Sequence, residues 1–104
     1  MILVKVTYTV KPEFIQRNQE NINLFMADFK KLNSDEFRYT VFLGDDGKTF
    51  IHLSTYQNEE IQKRLLDVPL FKSFQKQRDE SGLDGKPEIE LVNLINSSDK
   101  KWKK

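Results

Sequence analysis

The first residues of the chain alternate between apolar and polar side chains. In residues 2–10, ILVKVTYTV, every second position from Ile2 to Val10 is apolar or aromatic, and the positions between them include Lys5 and two threonines. Side chains that repeat with a period of two lie on the same face of a β-strand. The pattern therefore predicts a strand over residues 2–10 with one apolar face.

A helical period replaces this alternation after Pro12, a residue that suits the first turn of a helix. The apolar residues then recur at spacings of three, four or seven positions, at Ile15, Ile22, Phe25, Phe29 and Leu32. This spacing is typical of a helix that buries one face. Because Asn33 and Ser34 are typical of a helix end, we expect a helix of about five turns between Pro12 and this point.

Two further segments predict a β-hairpin. FRYTVFL (37–43) and TFIHLSTY (49–56) are both rich in aromatic and β-branched residues. The GDDGK sequence between them supplies the glycine and aspartate residues that are common in turns. The two segments are therefore expected to pair as neighbouring antiparallel strands.

The second half of the chain predicts two short helices and a last strand. Asn58 is a suitable N-cap for EEIQKRLL, and Pro69 interrupts the helical pattern, so we expect helices over 58–66 and 69–78. RDESGLDGKP is expected to be a loop because it contains two glycines and a proline. EIELVNLI (88–95) is the predicted fourth strand.

The resulting order, βαββαβ, is that of the ferredoxin-like α+β fold, a four-stranded antiparallel sheet with two helical segments on one face. On the other face the first and last strands carry Leu3, Val92 and Leu94 among polar residues. A partly apolar sheet face favours packing against a second copy of the chain, so we expect a homodimer through this face. Residues 1–96 are expected to form the domain, and 97–104 a frayed basic tail.

Charge and composition restrict the classes of partner. The net charge is +1, but residues 97–104, SSDKKWKK, hold four lysines and one aspartate, so the rest of the chain is slightly acidic. A nucleic-acid-binding domain would need a clustered basic face, and nucleic acid is not an expected partner. No apolar run approaches the roughly 18 residues of a membrane span, and no secretory leader is visible. A cytoplasmic protein with no membrane partner is therefore expected.

The sequence also argues against a protein-built metal site. Cysteine is absent and His52 is the single histidine, so thiolate ligands and paired histidine ligands are excluded. The GDDG turn lacks the further oxygen ligands of a calcium loop, and no phosphate-binding glycine motif is present. No metal is expected.

The TFIHLSTY strand partly matches the signature of the RNA-recognition motif, which shares the βαββαβ order. Lys48 and Phe50 match a basic and an aromatic position of that signature. Thr49 and Ile51, however, occupy its two glycine-type positions, and His52 replaces its second aromatic residue. The RNA-binding hypothesis therefore lacks both its motif and its basic surface.

A second resemblance extends over nearly the whole chain. Pro12 opens the first helix, the aromatic Tyr56 ends the third strand, the polar-acidic sequence NEE follows, and PLFKSF (69–74) carries a proline and two spaced phenylalanines. In these features the chain resembles the dimeric α+β barrel superfamily, and within it the antibiotic-biosynthesis-monooxygenase-like (ABM) domain. The resemblance implies a homodimer whose two sheets face each other, with a small-molecule pocket between each sheet and its helices.

The known activities of that group are cofactor-independent oxygenation of aromatic or quinol-like molecules and oxidative degradation of haem. Haem-degrading relatives carry an Asn, a Trp and a haem-ligating His where this chain has Val6, Leu65 and Gln75. Axial ligation of haem is therefore not expected, and neither is any other cofactor. The resemblance favours a cofactor-independent monooxygenase for a small aromatic or apolar molecule; a non-catalytic binding or assembly module of the same fold is the alternative.

The candidate catalytic residues are His52 and Tyr8. His52 shares a strand face with Tyr56, and antiparallel pairing of the first and third strands would bring it near Tyr8. An imidazole beside a phenol is suited to moving protons. The alternative for His52 is a buried structural or dimer-interface residue, and for Tyr8 a hydrogen bond to the backbone. The expected pocket walls, which are equally consistent with simple core packing, are Val6, Leu65, Phe71 and Phe74.

Overall fold

The computed structural model of the protein describes residues 1–99. Residues 100–104, most of the predicted basic tail, lie outside the described part of the chain. The elements are β1 (Ile2–Thr9), a 3₁₀ turn (Pro12–Phe14), α1 (Ile15–Phe29), β2 (Phe37–Leu43), β3 (Thr49–Tyr56), α2 (Glu59–Leu66), α3 (Pro69–Gln77), a wide helical turn (Arg78–Gly82) and β4 (Glu88–Val92).

The four strands form one antiparallel sheet in the order β2-β3-β1-β4. The β1–β3 register pairs Val6 with His52 and Tyr8 with Phe50, and β2 pairs with β3 across the predicted hairpin turn. Helices α1, α2 and α3 lie on one face of this sheet. The predicted ferredoxin-like α+β fold is therefore confirmed.

Two strands are shorter than predicted. β1 ends at Thr9, and Val10 makes only an isolated bridge to Leu83. β4 ends at Val92 rather than at residue 95. Val92 is paired with Leu3, one residue from the start of β1, so the residues after it have almost no partner strand left. Alternation alone does not reveal where a partner strand ends.

The predicted loop over 78–87 begins instead with a wide helical turn. The Leu83 N–H donates to the carbonyl of Arg78 (3.1 Å), which closes the turn. The Lys11 N–H donates to the carbonyl of Gly82 (2.8 Å) and fastens the turn to the segment that follows β1. Gly82 is required there because a Cβ atom would lie only 2.4 Å from the Phe14 ring. The turn therefore extends α3 and holds Arg78 against the sheet.

Aromatic rings dominate the core between the sheet and the helices. Phe25 of α1 is fully buried, and its ring centroid lies 4.9 Å from those of both Phe71 and Phe74. Contacts of this kind fix the distance between α1 and α3. The other buried apolar residues of the core are Tyr8, Val10, Phe14, Ile22, Phe29, Phe37, Phe50, Tyr56, Ile61 and Leu65.

None of the helices within residues 1–99 covers the opposite face of the sheet. Phe42 and Leu53 are 51% and 40% exposed there. The chain beyond β4 reaches the β2 end of the sheet, where Asp99 forms an ion pair with Arg38. Within residues 1–99, none of the helices has the length and apolar character needed to cross a bilayer.

Candidate functional site

His52 lies on the helix-facing side of β3, in the middle of the sheet. The alternation of the strand puts Phe50, Ser54 and Tyr56 on the same side, and all four side chains are buried. His52 is only 2% exposed. Its ring stacks on that of Phe74, with centroids 5.4 Å apart and an interplanar angle of 25°. Packing from both the sheet and α3 therefore fixes the imidazole.

Both nitrogens of this imidazole contact a phenol. The Tyr8 hydroxyl lies 2.7 Å from Nε2, and the Tyr39 hydroxyl lies 2.7 Å from Nδ1. The side-chain amide of Asn18, fully buried on α1, donates from Nδ2 to the Tyr8 oxygen at 3.0 Å. We call this arrangement, Asn18–Tyr8–His52–Tyr39, the buried chain. Residues from β1, α1, β2 and β3 each supply one member.

Burial keeps the titratable members of the chain uncharged near neutral pH. Desolvation, with a smaller contribution from the positive charge of Arg78, lowers the pKa of His52 to about 3. Burial raises the pKa of Tyr8 to about 12 against the opposing effects of Asn18 and Arg78. Burial likewise raises the pKa of Tyr39 well above its usual value. The imidazole is therefore neutral and carries one ring proton.

Arg78 places a positive charge beside this neutral chain. Its side chain is 11% exposed, and its guanidinium carbon lies 5.0 Å from the centre of the Tyr8 ring and 5.2 Å from that of Phe74. Nε donates to the Asp79 carboxylate at 2.9 Å. Stacking on two ring faces holds the planar guanidinium in place. The wide helical turn is thus the element that brings a cation to the site.

A cavity of about 200 Å³ opens between the sheet and the helices next to His52, Tyr39 and Arg78. Its wall is mostly apolar, with amide and hydroxyl groups interspersed. Arg78 is the one charged side chain among the described residues that line it. The other lining residues are Val4, Val6, Ser54, Tyr56, Gln62, Leu66, Phe71, Gln75, Pro87 and Ile89.

The structure brings some of the predicted site residues together and separates others. Tyr8 and His52 are hydrogen-bonded, and Val6 and Phe71 line the cavity. Phe74 packs behind the imidazole instead of lining the cavity. Leu65 is buried beside a smaller cavity of about 40 Å³ further along α2.

Sequence reasoning missed Tyr39, Asn18 and Arg78. Tyr39 carried a usable signal, because the alternation of β2 puts it on the same face as Phe37 and directly opposite Ser54 of β3. Asn18 lies on the buried side of α1, where a polar residue breaks the apolar pattern. Arg78 gave no signal, since it was predicted to lie where the second short helix ends and the loop begins.

A larger groove of about 330 Å³ lies at the surface near the end of α1 and is bordered by Lys30, Arg38 and the ring of Tyr39. His52 does not line it. The Tyr39 hydroxyl is bonded to His52, so its polar end belongs to the inner cavity. The chemistry of the buried chain is therefore directed to the inner cavity and not to this groove.

The geometry also bears on the metal and RNA hypotheses. Among residues 1–99, no three His, Asp or Glu side chains converge in a way that would hold a metal ion. Phe50 and His52, the two positions that would have to stack on RNA bases, are each 2% exposed and lie beneath the helices. They are therefore not available for base stacking.

Comparison with known proteins identifies the fold. No family model matches the sequence. No curated protein matches it either. Among solved structures, the chain is similar to an antibiotic biosynthesis monooxygenase (TM-score 0.77, 11% identity, covering 92% of this chain and 100% of that one). It is also similar to a candidate antibiotic biosynthesis monooxygenase from Nitrosomonas europaea, with a TM-score of 0.79 and 10% identity, covering 92% of this chain and 100% of that one. A third similar structure is that of a conserved protein from Methanosarcina mazei, with a TM-score of 0.73 and 21% identity, covering 88% of this chain and 89% of that one. The resemblance predicted from the sequence is confirmed at the level of the fold.

Proposed function

We propose that this chain, which has the fold of the antibiotic biosynthesis monooxygenases, binds a small aromatic or quinol-like molecule in the inner cavity and oxygenates it without a cofactor. The fold and the position of the cavity between sheet and helices support the class of function. The composition of the cavity wall supports the class of ligand, because flat apolar molecules bind to apolar walls with a few oriented polar groups.

The observation that carries the proposal is the pairing of Arg78 with an uncharged buried chain. The cavity wall offers a fixed cation and the hydrogen-bonding groups of Tyr39 and Gln75, and no carboxylate among the described residues. A charge in a largely dry site acts more strongly than the same charge in water. The site is therefore suited to stabilise a substrate that becomes an enolate or a phenolate.

Such an anion reacts with oxygen without metal or flavin. A methylene carbon that lies between two aromatic rings and is conjugated with a ring ketone loses a proton to solvent, and the carbanion gives one electron to O₂. A carbon–oxygen bond then forms, the peroxide regains a proton, and loss of water leaves a carbonyl group. One oxygen atom enters the product and the other enters water, and all four electrons come from the substrate. The protein has to orient the ring, exclude water and stabilise the anion.

In this mechanism Arg78 stabilises the anion, and Tyr39 contacts its oxygen. His52 and Tyr8, the predicted catalytic residues, hold Tyr39 in position: His52 is hydrogen-bonded to Tyr39, and Tyr8 is hydrogen-bonded to His52. Val6 and Phe71 supply the walls on either side of the ring. Leu65 and Phe74 act indirectly, because they pack in the core and hold α2 and α3 against the sheet.

Anthrone tests the proposal because its central methylene group is of the required kind. Its binding is measured without oxygen by fluorescence, and its conversion by oxygen uptake and product absorbance. Arg78→Met should weaken anthrone binding at least about tenfold, and Arg78→Lys should weaken it less. Arg64→Met is the matched control, since Arg64 is 54% exposed on α2 and does not line the inner cavity.

Equal losses in Arg78→Met and Arg64→Met, or no anthrone binding at all, would contradict the proposal. Tight binding with no oxygen uptake would point to the alternative, a binding module of the same fold. Circular dichroism of each variant separates a binding defect from a folding defect.

We further propose that the protein is a homodimer that buries the helix-free face of the sheet. The exposed apolar side chains of Phe42 and Leu53 on that face support this assembly. Leu53→Glu should convert the dimer to a monomer in light scattering. Leu24→Glu should not, because Leu24, which is 53% exposed, lies on α1 and not on the sheet. A mass of one chain for the unmodified protein would exclude the dimer.

A further inference from the structure

The direction of the hydrogen bonds in the buried chain follows from counting protons. A neutral imidazole has one N–H and one bare nitrogen, and each phenol has one proton. Both phenol oxygens lie 2.7 Å from a ring nitrogen. One tyrosine must therefore donate to His52 and the other must accept from it. The two possible arrangements correspond to the two tautomers of the ring.

Asn18 distinguishes the two arrangements. Its Nδ2 donates to the Tyr8 oxygen at 3.0 Å. If Nε2 of His52 were protonated, Tyr8 would accept from both groups, and its own proton would have no acceptor among residues 1–99 at a position that is only 2% exposed. A buried donor without an acceptor is strongly unfavourable. If Nδ1 is protonated, Tyr8 accepts from Asn18 and donates to Nε2, so its single hydroxyl proton has an acceptor.

The Nδ1–H tautomer has a consequence at the other end of the buried chain. His52 then donates to the Tyr39 oxygen, so the proton of Tyr39 is left for another acceptor. Within residues 1–99, the Tyr39 hydroxyl is hydrogen-bonded only to His52, and both residues line the inner cavity. The free proton of Tyr39 is thus available to a molecule in that cavity.

We infer that Asn18 is a positioning residue that fixes the tautomer of His52, so that Tyr39 acts as a hydrogen-bond donor to the ligand. The ligand consequently presents an acceptor, a carbonyl or phenolate oxygen, at Tyr39. Arg78 lies on the same cavity wall and favours the same oxygen when it carries negative charge. This inference rests on the proposed ligand-binding function only for the identity of the acceptor; the tautomer is a property of the free protein.

Nuclear magnetic resonance tests the tautomer directly. Because the chain has one histidine, a long-range ¹H–¹⁵N spectrum contains a single imidazole. The expected result at pH 7 is a protonated Nδ1 and a bare Nε2. A protonated Nε2 in the unmodified protein would overturn the inference, because the Asn18 amide would then have to be reversed and Tyr39 would offer only lone pairs.

Substitution of Asn18 tests its role. Asn18→Asp replaces the donor with an acceptor and should reverse every hydrogen bond in the buried chain, which gives the Nε2–H tautomer. Asn18→Leu removes the donor without introducing charge, so it should give a mixture of the two tautomers. This second variant keeps the test valid if Asn18→Asp does not fold. Asn21→Asp is the control, since Asn21 lies on the same helix but donates to Gln77. An unchanged tautomer in Asn18→Leu would exclude a positioning role.

Ligand binding tests the donor role of Tyr39. Tyr39→Phe should weaken binding of 1,4-naphthoquinone, which has two carbonyl acceptors, by about tenfold and should leave naphthalene binding unchanged. Equal effects on both molecules would exclude the donor role. If neither molecule binds the unmodified protein, the proposed function fails and the assigned acceptor fails with it, while the tautomer result stands.

Discussion

Lowering the pH from 7 to 5 is expected to destabilise the protein through one side chain, His52. The unfolded chain has an ordinary imidazole with a pKa of about 6.5, whereas burial beside Arg78 lowers the pKa in the folded protein to about 3. Between these values the unfolded chain binds a proton that the folded protein does not bind. The stabilisation due to His52 is therefore complete above pH 6.5 and is lost as the pH falls toward 3.

The size of the effect follows from the separation of the two pKa values. Each pH unit within the window between them changes the free energy of unfolding by about 1.4 kcal/mol. The step from pH 7 to pH 5 covers about 1.5 units of that window, which gives a loss of about 2 kcal/mol. For a domain of this size the loss corresponds to a fall in Tm on the order of 10 °C.

Urea unfolding followed by far-ultraviolet circular dichroism measures this loss. His52→Gln is the matched control, because glutamine both donates and accepts hydrogen bonds but does not titrate. The unmodified protein should lose about 2 kcal/mol between pH 7 and pH 5, and the variant should lose much less over the same range. The reasoning is refuted if both proteins lose the same amount, or if the His52 ring resonances of the folded protein titrate near pH 6.5.

Three further predictions concern stability. Gly82→Ala should lower the free energy of unfolding by about 1–3 kcal/mol in urea, because the new Cβ meets the Phe14 ring; Gly44→Ala, whose nearest contact is 3.4 Å away, should change it much less. Asn58→Ala removes the side-chain cap of α2 and should cost about 1 kcal/mol, a loss that Asn58→Asp should largely avoid. Stability should also fall as the pH rises from 10 toward 12, since burial raises the pKa of Tyr8 to about 12 and only the unfolded chain ionises there; Tyr8→Phe should reduce this alkaline loss.

The strand pattern of the sequence predicted most of the fold and two of the four residues of the buried chain, Tyr8 and His52. Alternation in β3 correctly put His52 on the face that the helices cover, and the hairpin with β2 and the pairing with β1 then brought Tyr8 within hydrogen-bonding distance. These features depend on local periodicity and on strand order, both of which can be inferred from residue types. They do not depend on the details of helix packing.

The remaining members of the site depend on such details. Asn18 reaches Tyr8 only because contacts of the Phe25 ring with the rings of Tyr39 and His52 set the distance between α1 and the sheet. Arg78 reaches the cavity because α3 continues into a wide turn that is fastened to residue 11. That turn forms where Gly82 allows the Phe14 ring to approach closely, a tertiary contact that outweighs the local preference of the segment for a loop.

The low pKa of His52 also limits how the proposed oxygenase would handle protons. In the free protein, desolvation and the charge of Arg78 both oppose protonation of the ring, so His52 is a weak base before a ligand binds. An anionic substrate beside Arg78 would cancel the second effect and would attract the imidazolium that forms when a proton is taken up. In the Nδ1–H tautomer, however, the bare Nε2 accepts a hydrogen bond from Tyr8, which does not line the cavity, so neither ring nitrogen is placed to take the substrate proton. In the proposed mechanism His52 therefore acts by holding Tyr39 as a hydrogen-bond donor, a role for which a neutral imidazole needs no carboxylate partner.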